Sequence, residues 1–276
     1  MNEPDRLSVH RTPLIYVIFI GGAADKESFL WGNVKLPFDQ RRPHYMTYHL
    51  ARRFHFRLRK YLQTAYAISP SMINQYYRCD YLSYSEVFYR DARRYEPDNL
   101  SMRIEAPAFQ RLLQNIGSQT QVFIVGHSLG AWNGAHLSHL LAAHGISCRY
   151  LITLDPVGYG NHDFPLAGHL IRQAKIYPLV PVPVCANWIN IRGFHIRLRH
   201  HCYSRTWRNW VSWAGGQWLV KDAQSQSQLL ANEATSLPHH WVEEMFNYPT
   251  QLGYSANTAL QQEIATIVRQ SGLVPA

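Results

Sequence analysis

The sequence predicts an α/β fold, a mostly parallel sheet with helices packed on both faces. Short unbroken apolar runs rich in β-branched residues recur along the chain, and each is closed by a turn signal. Runs of that kind are strands buried on both faces. Stretches with helical spacing separate them, and strands alternating with helices build a parallel sheet covered on each side. A length of 276 residues with 46% apolar content suits one domain, 1–276, with ample material for a core.

The first strand is expected at 14–20 (LIYVIFI), stopped by Gly21 and Gly22. A helix follows over 106–116, where Phe109, Leu112, Leu113 and Ile116 share a face. The second strand, 121–125 (QVFIV), ends at Gly126 and runs into a helix over 131–144 with Leu137, Leu140 and Leu141 on one side. A third strand, 149–154, ends at Asp155-Pro156, and a weaker fourth, 188–192, ends at Gly193. An amphipathic helix through Leu260, Ile264 and Ile267 closes the chain over 258–270. The stretch 202–231 fits this alternation poorly and is expected to be a lid, cap or insertion.

Charge and cysteine content narrow the classes. Charged residues make up only 16% of the chain, too few for general disorder. The net charge of +9, with 15 His in reserve, favours anionic partners such as acidic lipid headgroups, nucleic acid or an acidic inhibitor or immunity protein. The basic residues gather at Arg52, Arg53, Arg57, Arg59 and Lys60, and again over 192–208; a solvated helix face explains either cluster as well as a binding patch does. No nucleic-acid-binding motif accompanies them, so nucleic acid is not the expected partner. Cys79, Cys148, Cys185 and Cys202 show no metal-ligand spacing and read as reduced thiols. No cofactor or metal motif is present. The polar start of the chain lacks a signal-peptide pattern, so a cytoplasmic chain is expected, with export by a route needing no cleavable signal left open.

Chemistry enters at Gly126-His127-Ser128-Leu129-Gly130. A strand runs straight into this segment and a helix straight out. That arrangement holds a serine on a strained strand-to-helix turn with its hydroxyl exposed above the sheet edge. The bare glycines permit the tight turn, and the helix N-terminus aims backbone N–H groups at any oxyanion formed there. A glycine-rich turn without chemistry is the plain alternative.

The segment 124–131 (IVGHSLGA) resembles the nucleophile elbow of lipases in the α/β-hydrolase superfamily, closely over about a dozen residues and more loosely in strand order across the chain. The resemblance implies an α/β-hydrolase fold with Ser128 as nucleophile and a triad in the chain order serine, acid, histidine. The first acid at a strand end is then Asp155, 27 residues on, in a Leu-Asp-Pro setting similar to pancreatic-type lipases. A turn-forming Asp-Pro is its plain reading, and Asp222 is the runner-up acid. The base is expected late in the chain, at His239 or His240; spacing does not choose between them, though Val242 three positions on favours His239. His200 and His201 lie too early. The resemblance also places the oxyanion hole at Gly21, Gly22 and Leu129, with Ile20 standing where a lipase usually has histidine. A phosphate-binding loop at Gly21-Gly22 lacks the spacing it needs.

The expected activity is carboxylic-ester hydrolysis through an acyl-enzyme, with a lipid ester as substrate. Trp207, Trp210, Trp213 and Trp218 suggest a lid or peripheral membrane contact, with ordinary core packing as the even alternative. Lipase-like domains of this kind include antibacterial effectors of bacteria. The rival readings are a soluble carboxylesterase or thioesterase, and a non-catalytic basic binding protein.

Overall fold

The computed structural model describes residues 13–23, 25–26, 44–88, 112–158, 176–177, 179–193, 216–220 and 228–271. Six parallel strands form one sheet: β1 (Ile15–Gly21), β2 (Tyr77–Ser83), β3 (Gln121–His127), β4 (Cys148–Leu154), β5 (Asn187–Arg192) and β6 (Gln228–Ala234). Their spatial order is β2-β1-β3-β4-β5-β6. The helices are α1 (Met46–Tyr66), α2 (Pro70–Tyr76), α3 (Leu129–Ala143), α4 (Val242–Phe246) and α5 (Ala256–Gln270).

Alternation along the strands divides the core in two. Val17, Phe19, Phe123, Val125, Ile152 and Ile189 face α1, α4 and α5, while Ile18, Ile20, Ile124, Leu151 and Trp188 face α3. Helices therefore cover both faces, as a sheet of continuous apolar strands requires. This is the α/β-hydrolase arrangement. The chain leaves β1 for β2 on one side and returns to β3 on the other, so strand order reverses between β1 and β3. A crevice at the carboxyl ends of the strands opens at such a reversal. Gly22 leaves β1 there, and Ser128 leaves β3.

The four expected strands are present: β1 is shifted by one residue from its apolar run, and β3, β4 and β5 are one or two residues longer than theirs. Two more, β2 and β6, were not foreseen. Both are edge strands with mostly half-buried residues, so neither carries a continuous apolar signal. The expected helix over 106–116 is described only from residue 112, where 112–114 form a helical turn.

Helix α1 escaped the sequence reading although Leu50, Phe54, Leu58 and Leu62 recur at helical spacing. Its start carries no local cap: Tyr45 sits in the left-handed region with φ 52° and caps nothing with its side chain. The cap comes instead from Asp25, whose Oδ2 accepts a hydrogen bond from Thr47 N at 3.0 Å. Tyr45 N also donates to Asp25 O at 2.9 Å, so the loop after β1 is fastened to the head of α1. A cap 22 residues away in sequence leaves no local signature.

Helix α3 is buried almost all round, which erases the one-sided pattern expected of it. Of the stretch expected as a lid, only 216–220 and 228–231 are described. The second part begins β6, and Trp218 is a core residue packed on Trp188 and Trp132 at ring-centroid separations of 5.3 and 5.7 Å. Trp207, Trp210 and Trp213 lie outside the described residues, as do Asp222, His200, His201 and Cys202. Cys79, Cys148 and Cys185 are reduced thiols. No helix among the described residues is long and apolar enough to cross a membrane.

Candidate active site

Ser128 stands between β3 and α3 with φ 57° and ψ −127°, a conformation non-glycine residues rarely take. Surrounding structure holds it there. Ser128 N donates to Leu154 O at 3.0 Å, and Ser128 O accepts from Val157 N at 3.2 Å, so both its backbone groups bond to the chain flanking Asp155. Gly130, one residue into α3, lets the helix press on the end of β1: a Cβ there would fall 2.3 Å from Ile20 O. Backbone strain of this kind concentrates at sites where a side chain must be presented for chemistry.

A single histidine bridges the serine and the acid. Ser128 Oγ lies 3.1 Å from His239 Nε2, and His239 Nδ1 lies 2.5 Å from Asp155 Oδ2. His239 is the residue so placed. His240, the other candidate base, instead meets Trp241 edge-on with ring centroids 6.4 Å apart. Asp155 follows β4, the strand beside the nucleophile strand, and is fully buried with φ 43°. Its second oxygen, Oδ1, accepts from Gly193 N at 2.9 Å and from Gln217 Nε2 at 2.6 Å. Gln217 Nε2 also donates to Gly193 O at 3.1 Å. The pieces 156–158 and 216–218 run antiparallel beside each other, through Trp218 N to Pro156 O and Gly158 N to Gly216 O, both at 2.9 Å.

His127 supports the base from beneath. Its Nε2 lies 2.8 Å from the carbonyl of His239; a carbonyl only accepts, so that nitrogen carries the hydrogen. The two rings are 4.6 Å apart, centroid to centroid. Burial, reinforced by His239 alongside, lowers the His127 pKa to about 3 and keeps the ring neutral. The charge that a proton-accepting His239 would acquire therefore meets no second cation in His127.

The two glycines after β1 divide in role. A Cβ on Gly22 would fall 2.6 Å from Ser128 Cβ and 3.1 Å from its Oγ, so the Gly22 backbone lies directly against the hydroxyl. A Cβ on Gly21 would meet Asp25 Oδ2 and Tyr81 OH instead. Gly22 and Leu129, the first residue of α3, thus border Ser128, whereas Gly21 joins the packing that carries Asp25. Burial raises the Asp25 carboxyl above its ordinary range.

Sequence reasoning missed Gln217, His127 and Asp25. His127 lay within the quoted motif, but nothing local signalled its bond to a carbonyl 112 positions away. Gln217 touches Asp155 across 62 positions and Asp25 touches Thr47 across 22. Each is a long-range contact of a common polar residue.

No family model and no curated protein matches the chain. Among solved structures it is similar to a protein of Pectobacterium atrosepticum described as a YdeN-like hydrolase, at 14% identity over 95% of this chain and 93% of that one, with a TM-score of 0.32. A protein of Xanthomonas campestris described as a hydrolase of the α/β superfamily matches at 14% identity over 92% and 98%, with a TM-score of 0.29. YbtT, the type II thioesterase of the yersiniabactin pathway, matches at 13% identity over 93% and 92%, with a TM-score of 0.36. Likenesses of this strength say nothing of substrate.

Proposed function

We propose that the protein is a serine hydrolase that cleaves carboxylic esters, with lipid esters as its substrates. The observation that carries the reading is the continuous contact from Ser128 Oγ through the His239 ring to Asp155. His239 Nε2 takes the hydroxyl proton as Ser128 Oγ attacks the ester carbonyl, and Asp155 holds the imidazole in the required tautomer and stabilises its cation. The N–H groups beside Ser128, on the Gly22 loop and at Leu129, receive the developing oxyanion. His239 then protonates the departing alcohol, leaving an acyl-enzyme. Water, deprotonated by the same ring, releases the acid and restores Ser128.

Lipid rather than soluble ester is favoured by exposed apolar residues on the segments that supply the acid–base pair and its partner. Trp241, two residues after His239, is 43% exposed, and Leu219, two residues after Gln217, is 56% exposed. Large apolar side chains held in water on such segments suit an apolar or interfacial substrate.

A fluorophosphonate probe tests the reaction class. Labelling of the wild type and none of Ser128→Ala is expected; equal labelling of both removes the nucleophile. Fatty acid released from phospholipid vesicles faster than from short-chain soluble esters is the result expected for the substrate class, and the reverse order would move the reading to a soluble carboxylesterase or thioesterase.

A further inference from the structure

Helix α1 carries a surface the proposed chemistry does not use. His49, Arg52, Arg53, Phe56, Arg57 and Lys60 each lie three or four residues from others of the set along its outer side. Residues so spaced form a single stripe on a helix. All but Phe56 are basic residue types, and α1 contains no Asp or Glu. Phe56, in the middle of the stripe, is 69% exposed, the most exposed large apolar side chain among the described residues. With His49, Arg52, Arg53 and Arg57 it lines a groove of about 340 Å³.

Charge on the stripe is barely compensated. Among the described residues, the acid that ion-pairs with it is Glu243 of α4, bonded to Arg53 and 3.6 Å from Arg57. Arg52 and Lys60 have no ion pair among those residues. Glu243 also sets the position of the stripe, because α4 follows directly on His239, His240 and the exposed Trp241. The cationic face and the rim of the catalytic crevice are therefore neighbours.

We propose that this face of α1 docks on an anionic phospholipid bilayer, with Arg52, Arg53, Arg57 and Lys60 against the phosphates and Phe56 entering the interface. The proposal rests on the lipid-ester reading for its purpose, not for its contacts. A bilayer takes cations and an apolar wedge from one helix lying along it. Nucleic acid fits less well, because the stripe offers none of the Asn, Gln, Ser or Thr side chains that bond base edges beside arginine. An acidic protein gives no reason for an unpaired phenyl ring in water.

The test uses Ser128→Ala protein, so that vesicles stay intact, and measures co-sedimentation with vesicles of phosphatidylglycerol or of phosphatidylcholine at a series of salt concentrations. Preference for phosphatidylglycerol, weakening as salt rises, is expected. Adding Arg52→Glu, Phe56→Ser and Lys60→Glu leaves the Glu243 pairs in place and should weaken that binding by at least about 30-fold, since each cation near such a surface is worth about fivefold. Melting curves establish that the variant is folded. Equal binding to both lipids, or variant binding as tight as the parent's, overturns the proposal. So does tighter binding to single-stranded DNA or to polyglutamate than to phosphatidylglycerol at the same salt. Fatty-acid release is measured separately with Ser128 intact: binding without release would sink the lipid-ester reading and leave the docking face standing, and release without lipid preference would do the opposite.

Discussion

The Gln217 amide donates to Asp155 Oδ1 across 2.6 Å while His239 holds the other oxygen of the same carboxylate. Gly193 N shares Oδ1 with the amide, so three donors hold one carboxylate. Removing Gln217 leaves the carboxylate one donor short and its aim at the His239 ring less firmly held. Gln217→Ala should therefore lower kcat/KM by about tenfold, the scale of one hydrogen bond to a charged group. The loss should fall on kcat, with KM little changed, and Gln217→Glu or Gln217→Asn should not restore it fully. Wild-type kcat in Gln217→Ala would leave Gln217 a packing role alone.

Replacing each adjacent histidine in turn separates them. His239→Ala should cost about 10⁴-fold or more in kcat, as loss of a triad base does. His240→Ala, whose ring lies against Trp241, should stay within a few-fold of wild type. Initial rates on a soluble ester read both, and comparable losses in the two variants would contradict the assignment.

Gly22→Ala would drive a methyl group to 2.6 Å from Ser128 Cβ. The loop must retreat to admit it, taking its N–H away from the oxyanion. A fall in kcat of about 100-fold is expected, equal to one lost donor, with KM little changed. Steady-state kinetics decide; a change confined to KM would place Gly22 in substrate binding rather than in charge stabilisation.

Acid should destabilise the fold through His136. Burial lowers its pKa from 6.5 to about 3, so the native ring stays neutral while the unfolded one is protonated. The unfolded state binds the extra proton, and stability falls as pH drops below 6.5 toward 3. His136→Gln, which keeps a donor for Leu179 O, should remove about 2 kcal/mol of that loss between roughly pH 6.5 and 5. Urea unfolding at several pH values measures it, and identical slopes for the two proteins would refute it.

What the sequence disclosed follows from where each signal was stored. The buried strands β1, β3 and β4 wrote themselves as unbroken apolar runs, and the turn at Ser128 is a local motif. Edge strands β2 and β6 alternate too weakly to be seen, and α1 hid behind a cap supplied by Asp25. Within the site, Asp155 stood out as a carboxylate at a strand end, and His239 was narrowed to a pair. The choice between the pair needed tertiary contact, because adjacent residues on one loop differ only in which way the chain turns them. Gln217 and His127 act through partners far along the chain, and no local pattern marks such bonds.

The backbone of Ser128 is pinned by main-chain bonds, its N–H to Leu154 and its carbonyl to Val157. Neither depends on the hydroxyl. An alanine at that position is therefore expected to keep the shape of the crevice while removing the hydroxyl, which makes the variant a bait for recovering whatever compound binds there uncleaved.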